Sequence, residues 1–250
     1  MTRRVDVAFV PAAFGRAAEV AIVVDLLRAS TSLVTMVERG CAPIHLAASI
    51  DDARRAAVAH PEYLLVGEEG GLAPSGFQYG NSPVELAAAP LAGRGAVMAT
   101  TNGAPAIHAA TSARVVLVGC LRNAGAVSNA AWEAAGDGGE IVVVCSGRAG
   151  NTGGFGLDDA YCAGVLVERL AHMGPAELTD TAEAARLLAR AEPEPLGVLL
   201  RSAAARNVAD LGLEHDVSFC GAIDTSSTVP RLGREVLLFP PQAGFSRFPS

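Results

Sequence analysis

The chain has 250 residues, half of them hydrophobic, enough to bury a substantial core as one large domain or two small ones. A net charge of -7 argues against a broad nucleic-acid surface, although local arginines and backbone amides can still bind a small anion. All 19 basic residues are arginine, which removes the ordinary P-loop, a pyridoxal-phosphate Schiff base and any lysine-dependent aldolase.

No stretch approaches the run of about 18 apolar residues that crosses a membrane, and residues 1–15 lack the apolar core and cleavage site of a signal peptide. The expected location is cytoplasmic, with no membrane partner. The five cysteines (Cys41, Cys120, Cys145, Cys162 and Cys220) are scattered without a CxxC pair and read as small buried hydrophobes. The histidines show no HxxxH or HExxH spacing, which disfavours zinc.

In chain order, short apolar runs predict strands over 5–10, 20–24, 44–46, 64–66, 96–99, 115–119 and 141–145. Between them, helical spacing predicts helices over 31–39, 50–59, 104–110, 124–135, 157–171 and 179–190. Such alternation predicts βαβ units: an α/β fold of three layers, α/β/α, around a largely parallel sheet. From about Pro175 the pattern changes, with a helix over 201–211, then short runs at 217–219 and 236–239 read as strands. Residues 1–240 are expected to form a single α/β domain, with 175–240 a helical cover returning to a sheet edge. Residues 241–250 read as a poorly ordered tail.

The segment VAIVVDLLRASTS (20–32) carries the strongest chemical signal. A buried strand ends on Asp25, and Arg28 and the hydroxyls Ser30, Thr31 and Ser32 follow where an amphipathic stretch begins. A carboxylate closing a buried strand needs a partner. The arginine and the amides at a helix start suit the oxygens of a phosphate. Later junctions repeat the theme: Glu68 and Glu69 in the long loop 67–83, closing on Asn81-Ser82; Thr100-Thr101-Asn102-Gly103; Arg122-Asn123; and, after the glycine-rich stretch 146–156, Asp158-Asp159. Taken singly, each has a bland reading as cap, dipole partner or solvated charge. Together they fall at strand C-termini, where open α/β sheets bind ligands. Carboxylates there suit Mg²⁺, which takes one or two protein oxygens and leaves the rest to water and substrate phosphate. The expected ligand is a small anionic phosphorylated acid. The DxDxT pattern is absent because Leu26-Leu27 follow Asp25, and neither GxGxxG before a helix nor GxSxG occurs.

At these same residues the chain resembles the 2-phosphosulfolactate phosphatase (ComB) family, Mg²⁺-dependent α/β enzymes linked to coenzyme M biosynthesis. The matching blocks are VVDLLRASTS (23–32), GEEGG (67–71), GFQYGNSP (76–83), TTNG (100–103), LRNAGAV (121–127) and GFGLDDAYCAG (154–164), in family order, with weaker similarity through DVSFCGAIDTSSTVP (216–230). Three departures stand out: DLLRASTS for DVLRATTT, Glu69 where the family's GERGG has arginine, and Leu157-Asp158-Asp159-Ala160 for LEDT. The resemblance implies hydrolysis of 2-phosphosulfolactate to 3-sulfolactate and phosphate. Asp25 would be a metal ligand or the attacking carboxylate, with Glu68 and Asp159 supporting the metal and Asp158 as substitute. Arg28, Ser30, Thr31, Thr101, Asn102 and Gly103 would hold substrate oxygens, followed by Asn81, Ser82 and Asn123. A phosphatase for another phosphorylated acid and a non-catalytic anion-binding protein are the alternatives. Homo-oligomerisation is a base-rate expectation.

Overall fold

The computed structural model describes residues 1–15, 17–148 and 154–239. Among the described residues there are nine strands: β1 (Arg3–Ala8), β2 (Val20–Val24), β3 (Ile44–Ala47), β4 (Leu64–Gly67), β5 (Ala96–Ala99), β6 (Val115–Gly119), β7 (Glu140–Cys145), β8 (Ala176–Leu178) and β9 (Val236–Leu238). They form two sheets where the sequence predicts one: β6-β2-β7-β1-β8 and β4-β5-β3-β9. Every ladder in both is parallel.

The helices are α1 (Ala29–Glu38), α2 (Ile50–Ala59), α3 (Pro83–Ala88), α4 (Gly103–Ala109), α5 (Ala124–Ala135), α6 (Leu157–Met173), α7 (Asp180–Ala191), α8 (Pro195–Leu199), α9 (Ala203–Asp210) and α10 (Glu214–Cys220). Helices lie on both sides of the parallel strands, giving the three-layer α/β/α fold. Parallel pairing demands a crossover between neighbours, and the alternation of strand and helix supplies it.

Residue pattern explains how the two sheets are covered. All five residues of β2 are buried, as expected of a strand packed on both faces. In the second sheet Ile44, Leu46, Val66, Ala96 and Met98 belong to a core shared with the first sheet. The alternate residues Ala47, Leu65, Val97 and Ala99 pack with Ala53 and Ala56 of α2. The period of two thus assigns one face to the common core and the other to α2.

The region after Pro175 departs from the expected pattern at two places: β8 (Ala176–Leu178) lies where no strand is predicted, and 217–219 differs in type. Residues 217–219 are not a strand; they lie within α10, where Val217 and Cys220, three apart, are both buried. The segment Val217-Ser218-Phe219 is too short to separate a period of two from a helical one, and the flanking Glu214 and Asp216 belong to a first helical turn. The short strand β8 joins the edge of the first sheet beside β1, and β9 joins the edge of the second beside β3. The expected tail, 241–250, lies outside the described residues. No helix among them is long and apolar enough to cross a membrane.

Candidate active site

The C-terminal ends of β2, β4, β5 and β7 converge on a cavity of about 530 Å³ whose remaining wall is α6 and α9. Eight of the sequence-derived candidates line it: Asp25, Arg28, Glu68, Asn81, Thr101, Asn102, Asp158 and Asp159. Five do not: Ser30, Thr31, Ser82, Gly103 and Asn123.

Asp25 follows the last residue of β2 and is buried, with its Oδ1 accepting from the Ala29 N–H at 3.2 Å. Ser30 holds this turn from behind, its hydroxyl donating to the Asp25 carbonyl (2.8 Å) and accepting the Asp25 N–H (3.2 Å). Thr31 likewise donates to the Leu26 carbonyl at 2.9 Å. These two hydroxyls shape the strand-to-helix turn rather than face the cavity. Gly103 has a different contribution, because it begins α4 against the same turn. A Cβ there would stand 2.6 Å from the Ala29 Cβ and 3.1 Å from Asp25 Oδ2. Gly103→Ala is therefore expected to destabilise the protein by about 1–3 kcal/mol and to lower turnover by moving Asp25. Urea unfolding checks the first effect; a midpoint equal to wild type would contradict the close approach.

Glu68 and Asp159 are engaged as backbone anchors. Glu68 accepts the Thr101 N–H (2.7 Å) and the Gly71 N–H (2.9 Å), one with each oxygen. It ties the loop after β4 to the loop after β5. Asp159 accepts the Leu26 N–H (2.8 Å) on Oδ1, and the Ser146 hydroxyl (2.9 Å) and Gly147 N–H (3.1 Å) on Oδ2. It joins the ends of β2 and β7 to the first turn of α6. Asp158, also buried, receives the Leu27 N–H.

Burial, more than mutual proximity, sets the electrostatics of these acids. Burial pushes the Asp25 carboxyl up to about 7; the Ala29 N–H opposes this, and the charges of Asp158 and Glu68 add to it. Burial lifts Asp158 to about 6, with neighbouring N–H groups and the Arg148 charge pulling the other way. Asp159 rises well above the ordinary carboxylate range through burial first, then repulsion from Asp158 and Asp25. Three buried carboxylates that each resist ionisation want a counter-cation.

Arg28 is not an open anion clamp. Its Nη1 donates to Asp216 Oδ2 at 2.9 Å and its Nη2 donates to the Gly71 carbonyl. Asp216, at the start of α10 and 1% exposed, also accepts the Ser82 hydroxyl through Oδ1 at 2.6 Å. Ser82 in turn caps α3 by accepting the Glu85 N–H. The buried Arg28–Asp216–Ser82 chain fastens the helical cover to the turn after β2. Asn81 differs: it lines the cavity, is 4% exposed, and its Oδ1 has no partner. Asn123 lies elsewhere and is fully satisfied, donating to the Val118 and Thr228 carbonyls and accepting the Cys120 N–H. Its amide organises the turn after β6 instead of meeting a ligand. Glu69 is exposed and does not line the cavity, so its departure from the family pattern does not put an anion against the ligand.

Sequence reasoning missed several lining residues. Ser146, Gly147 and Arg148 follow β7, and Ala204, Asn207, Val208, Asp210 and Leu211 come from α9 and its end. The first group sits at a strand C-terminus and was within reach of the same logic. The second comes from a part of the chain with no positional signal of its own. Another cavity, of about 550 Å³, lies among α5, α6 and α7 and holds none of the candidates. Its charges are already paired: hydrogen bonds from Arg190 and Arg186 hold Glu168 down to about 2.

The donor set fits a hard divalent cation. It is all oxygen, and Asp25 and Asp158 keep acceptor capacity facing the cavity beyond their backbone bonds. No group of three or more histidine, cysteine, aspartate or glutamate side chains among the described residues is drawn together tightly enough to cage a metal by itself. Two carboxylates with free oxygen acceptors are a donor set that Mg²⁺ can use, since it completes its shell with water and phosphate oxygens.

Comparison with known proteins identifies the family. A family profile described as 2-phosphosulpholactate phosphatase matches residues 10–235. A protein of Thermus thermophilus is 42% identical over 243 residues, covering 96% of this chain and 99% of its own. One from Deinococcus radiodurans is 41% identical over 215 residues, covering 86% and 88%, and one from Gloeobacter violaceus is 35% identical over 213 residues, covering 84% and 87%. All three carry the name "Probable 2-phosphosulfolactate phosphatase". With a match across nearly the whole chain, including every strand end that lines the cavity, the chain belongs to the 2-phosphosulpholactate phosphatase family.

Proposed function

We propose that this protein hydrolyses the phosphate ester of 2-phosphosulfolactate, releasing 3-sulfolactate and phosphate, and that it does so with Mg²⁺. The charge balance of the cavity supports the metal requirement. Five carboxylates line it (Asp25, Glu68, Asp158, Asp159 and Asp210) against two guanidiniums, and one of those, Arg28, is neutralised by Asp216. A substrate carrying phosphate, carboxylate and sulfonate would be repelled from such a surface unless a cation came with it.

In this reading Asp25 and Asp158 hold the cation, while Glu68 and Asp159 fix the loops that carry them. Bound there, Mg²⁺ would neutralise the phosphate oxygens and the charge that builds on the ester oxygen as it leaves. The chain's own groups do the rest. Asn81, Thr101 and Asn102 orient the phosphate from the cavity floor and rim. The network from Glu68 to the Thr101 and Gly71 amides keeps that rim from moving. The Arg28–Asp216 pair fixes the turn behind Asp25, so the carboxylate meets phosphorus or an attacking water from one direction.

The test is phosphate release from 2-phosphosulfolactate and a panel of other phosphorylated acids, with Mg²⁺ and with chelator. Metal-dependent turnover fastest on 2-phosphosulfolactate is expected. Turnover unchanged by chelator would remove the metal, and equal rates across the panel would remove the substrate.

The raised carboxyls also set a pH dependence. Asp25 and Asp158 bind protons more tightly folded than unfolded, so their contribution to stability is complete below about 3.8 and lost as pH rises through about 6 and 7. In chelator, the thermal midpoint should fall between pH 5 and 8 as these acids ionise against one another. Mg²⁺ should restore it at pH 8 far more than at pH 5, where protons compete for the same oxygens. A metal effect of equal size at both values would place the cation elsewhere.

A further inference from the structure

We infer that Arg148 is the residue that selects a substrate bearing a sulfonate, an inference that rests on the phosphatase reading above. Two guanidiniums line the cavity. Arg28 is buried with donors committed to Asp216 and the Gly71 carbonyl, so a ligand could win it only by leaving Asp216 buried and unpaired. Arg148 is the opposite case. Its side chain is exposed at the cavity, and its guanidinium makes no hydrogen bond or ion pair with any described residue; its charge acts only at a distance, on Asp158.

The free side chain stands on a fixed stem. The Arg148 N–H donates to the Gly154 carbonyl at 2.8 Å, and the Gly154 N–H donates back to Arg148 at 3.2 Å. The preceding residue, Gly147, has a φ of +65° and donates its N–H to Asp159 Oδ2. The same carboxylate that ties β2 to β7 therefore sets where Arg148 leaves the backbone. A cation held at its base and unpaired at its tip among the described residues can turn to a ligand group without giving up an existing partner, although its rotamers must still be ordered.

The chemistry of the substrate assigns the group. Its carboxylate is bonded to the carbon that bears the phosphate ester, so it stays close to the phosphate among the buried acids and Asn81. The sulfonate sits one carbon further out and is the anion best able to reach an exposed cation. A guanidinium presents a planar fork of donors to the oxygens of an oxyanion, and both partners are weakly hydrated.

Binding of 3-sulfolactate, lactate and inorganic phosphate is measured by calorimetry at saturating Mg²⁺ for wild type, Arg148→Ala and Arg148→Lys. Arg148→Ala should weaken 3-sulfolactate binding by about tenfold to a hundredfold, as loss of a charge-assisted pair does, and lower the preference for 3-sulfolactate over lactate by a similar factor. Arg148→Lys should recover part of it. In turnover, the ratio of kcat/KM for 2-phosphosulfolactate over 2-phospholactate should fall at least about tenfold in Arg148→Ala. Equal losses for the sulfonated and unsulfonated ligands, an equal loss for phosphate, or no loss at all would each overturn the assignment. Wild type that binds 3-sulfolactate but hydrolyses none of the substrates would sink the phosphatase reading, while calorimetry would still decide the role of Arg148.

Discussion

Asp25→Asn is expected to lower phosphate release on the order of a thousandfold without unfolding the protein. The substitution keeps the shape of the side chain and the acceptor for the Ala29 N–H, so the turn after β2 retains its bond. What disappears is a negative charge that burial and the neighbouring acids already resist. The variant's thermal midpoint at pH 8 in chelator should therefore be no lower than that of wild type, and its response to Mg²⁺ should shrink. This combination separates chemistry from structure. A variant with more than about a tenth of wild-type turnover would mean that Asp25 is neither metal ligand nor nucleophile, and Asp158 would become the leading acid.

Arg28→Ala should fail for the contrary reason, through stability first. It leaves the Asp216 carboxylate 1% exposed without its cation, and removing one partner of a buried pair costs about 3–5 kcal/mol. Against a typical total of about 5–15 kcal/mol, that is a large share. Asp216→Asn in the same chain should return part of the loss, because the buried charge is gone and the amide oxygen can still accept from Ser82. Urea unfolding of both single variants and the double variant measures the coupling. Additive losses would show that the pair is not a unit. Were Arg28 chiefly a phosphate clamp, the single variant would instead fold normally and show only a raised KM.

These two residues were adjacent in the sequence argument and part company in the structure. Asp25 was legible because a carboxylate at the end of five buried residues has few bland explanations. Arg28 was legible as important but not as to purpose. Its partner sits 188 positions later in α10, next to a segment that the sequence predicts as a strand. Ser30, Thr31 and Asn123 were assigned to the ligand on residue type and place. All three spend their hydrogen bonds on backbone turns beneath it. A hydroxyl or amide near a site looks the same in sequence whichever way it points.

By itself the sequence determined the alternation of strand and helix, the parallel pairing that alternation requires, and the strand ends where polar residues collect. These follow from local periodicity and from the reach of a crossover, which neighbouring residues carry in full. Tertiary structure alone decided that the strands divide into two sheets, that α9 walls the cavity, and which charges are spent. Arg28 and Arg148 are the same residue type beside the same acids. One is closed by Asp216 and the other open to a ligand, because pairing depends on which distant segment folds against each, and no local pattern records that.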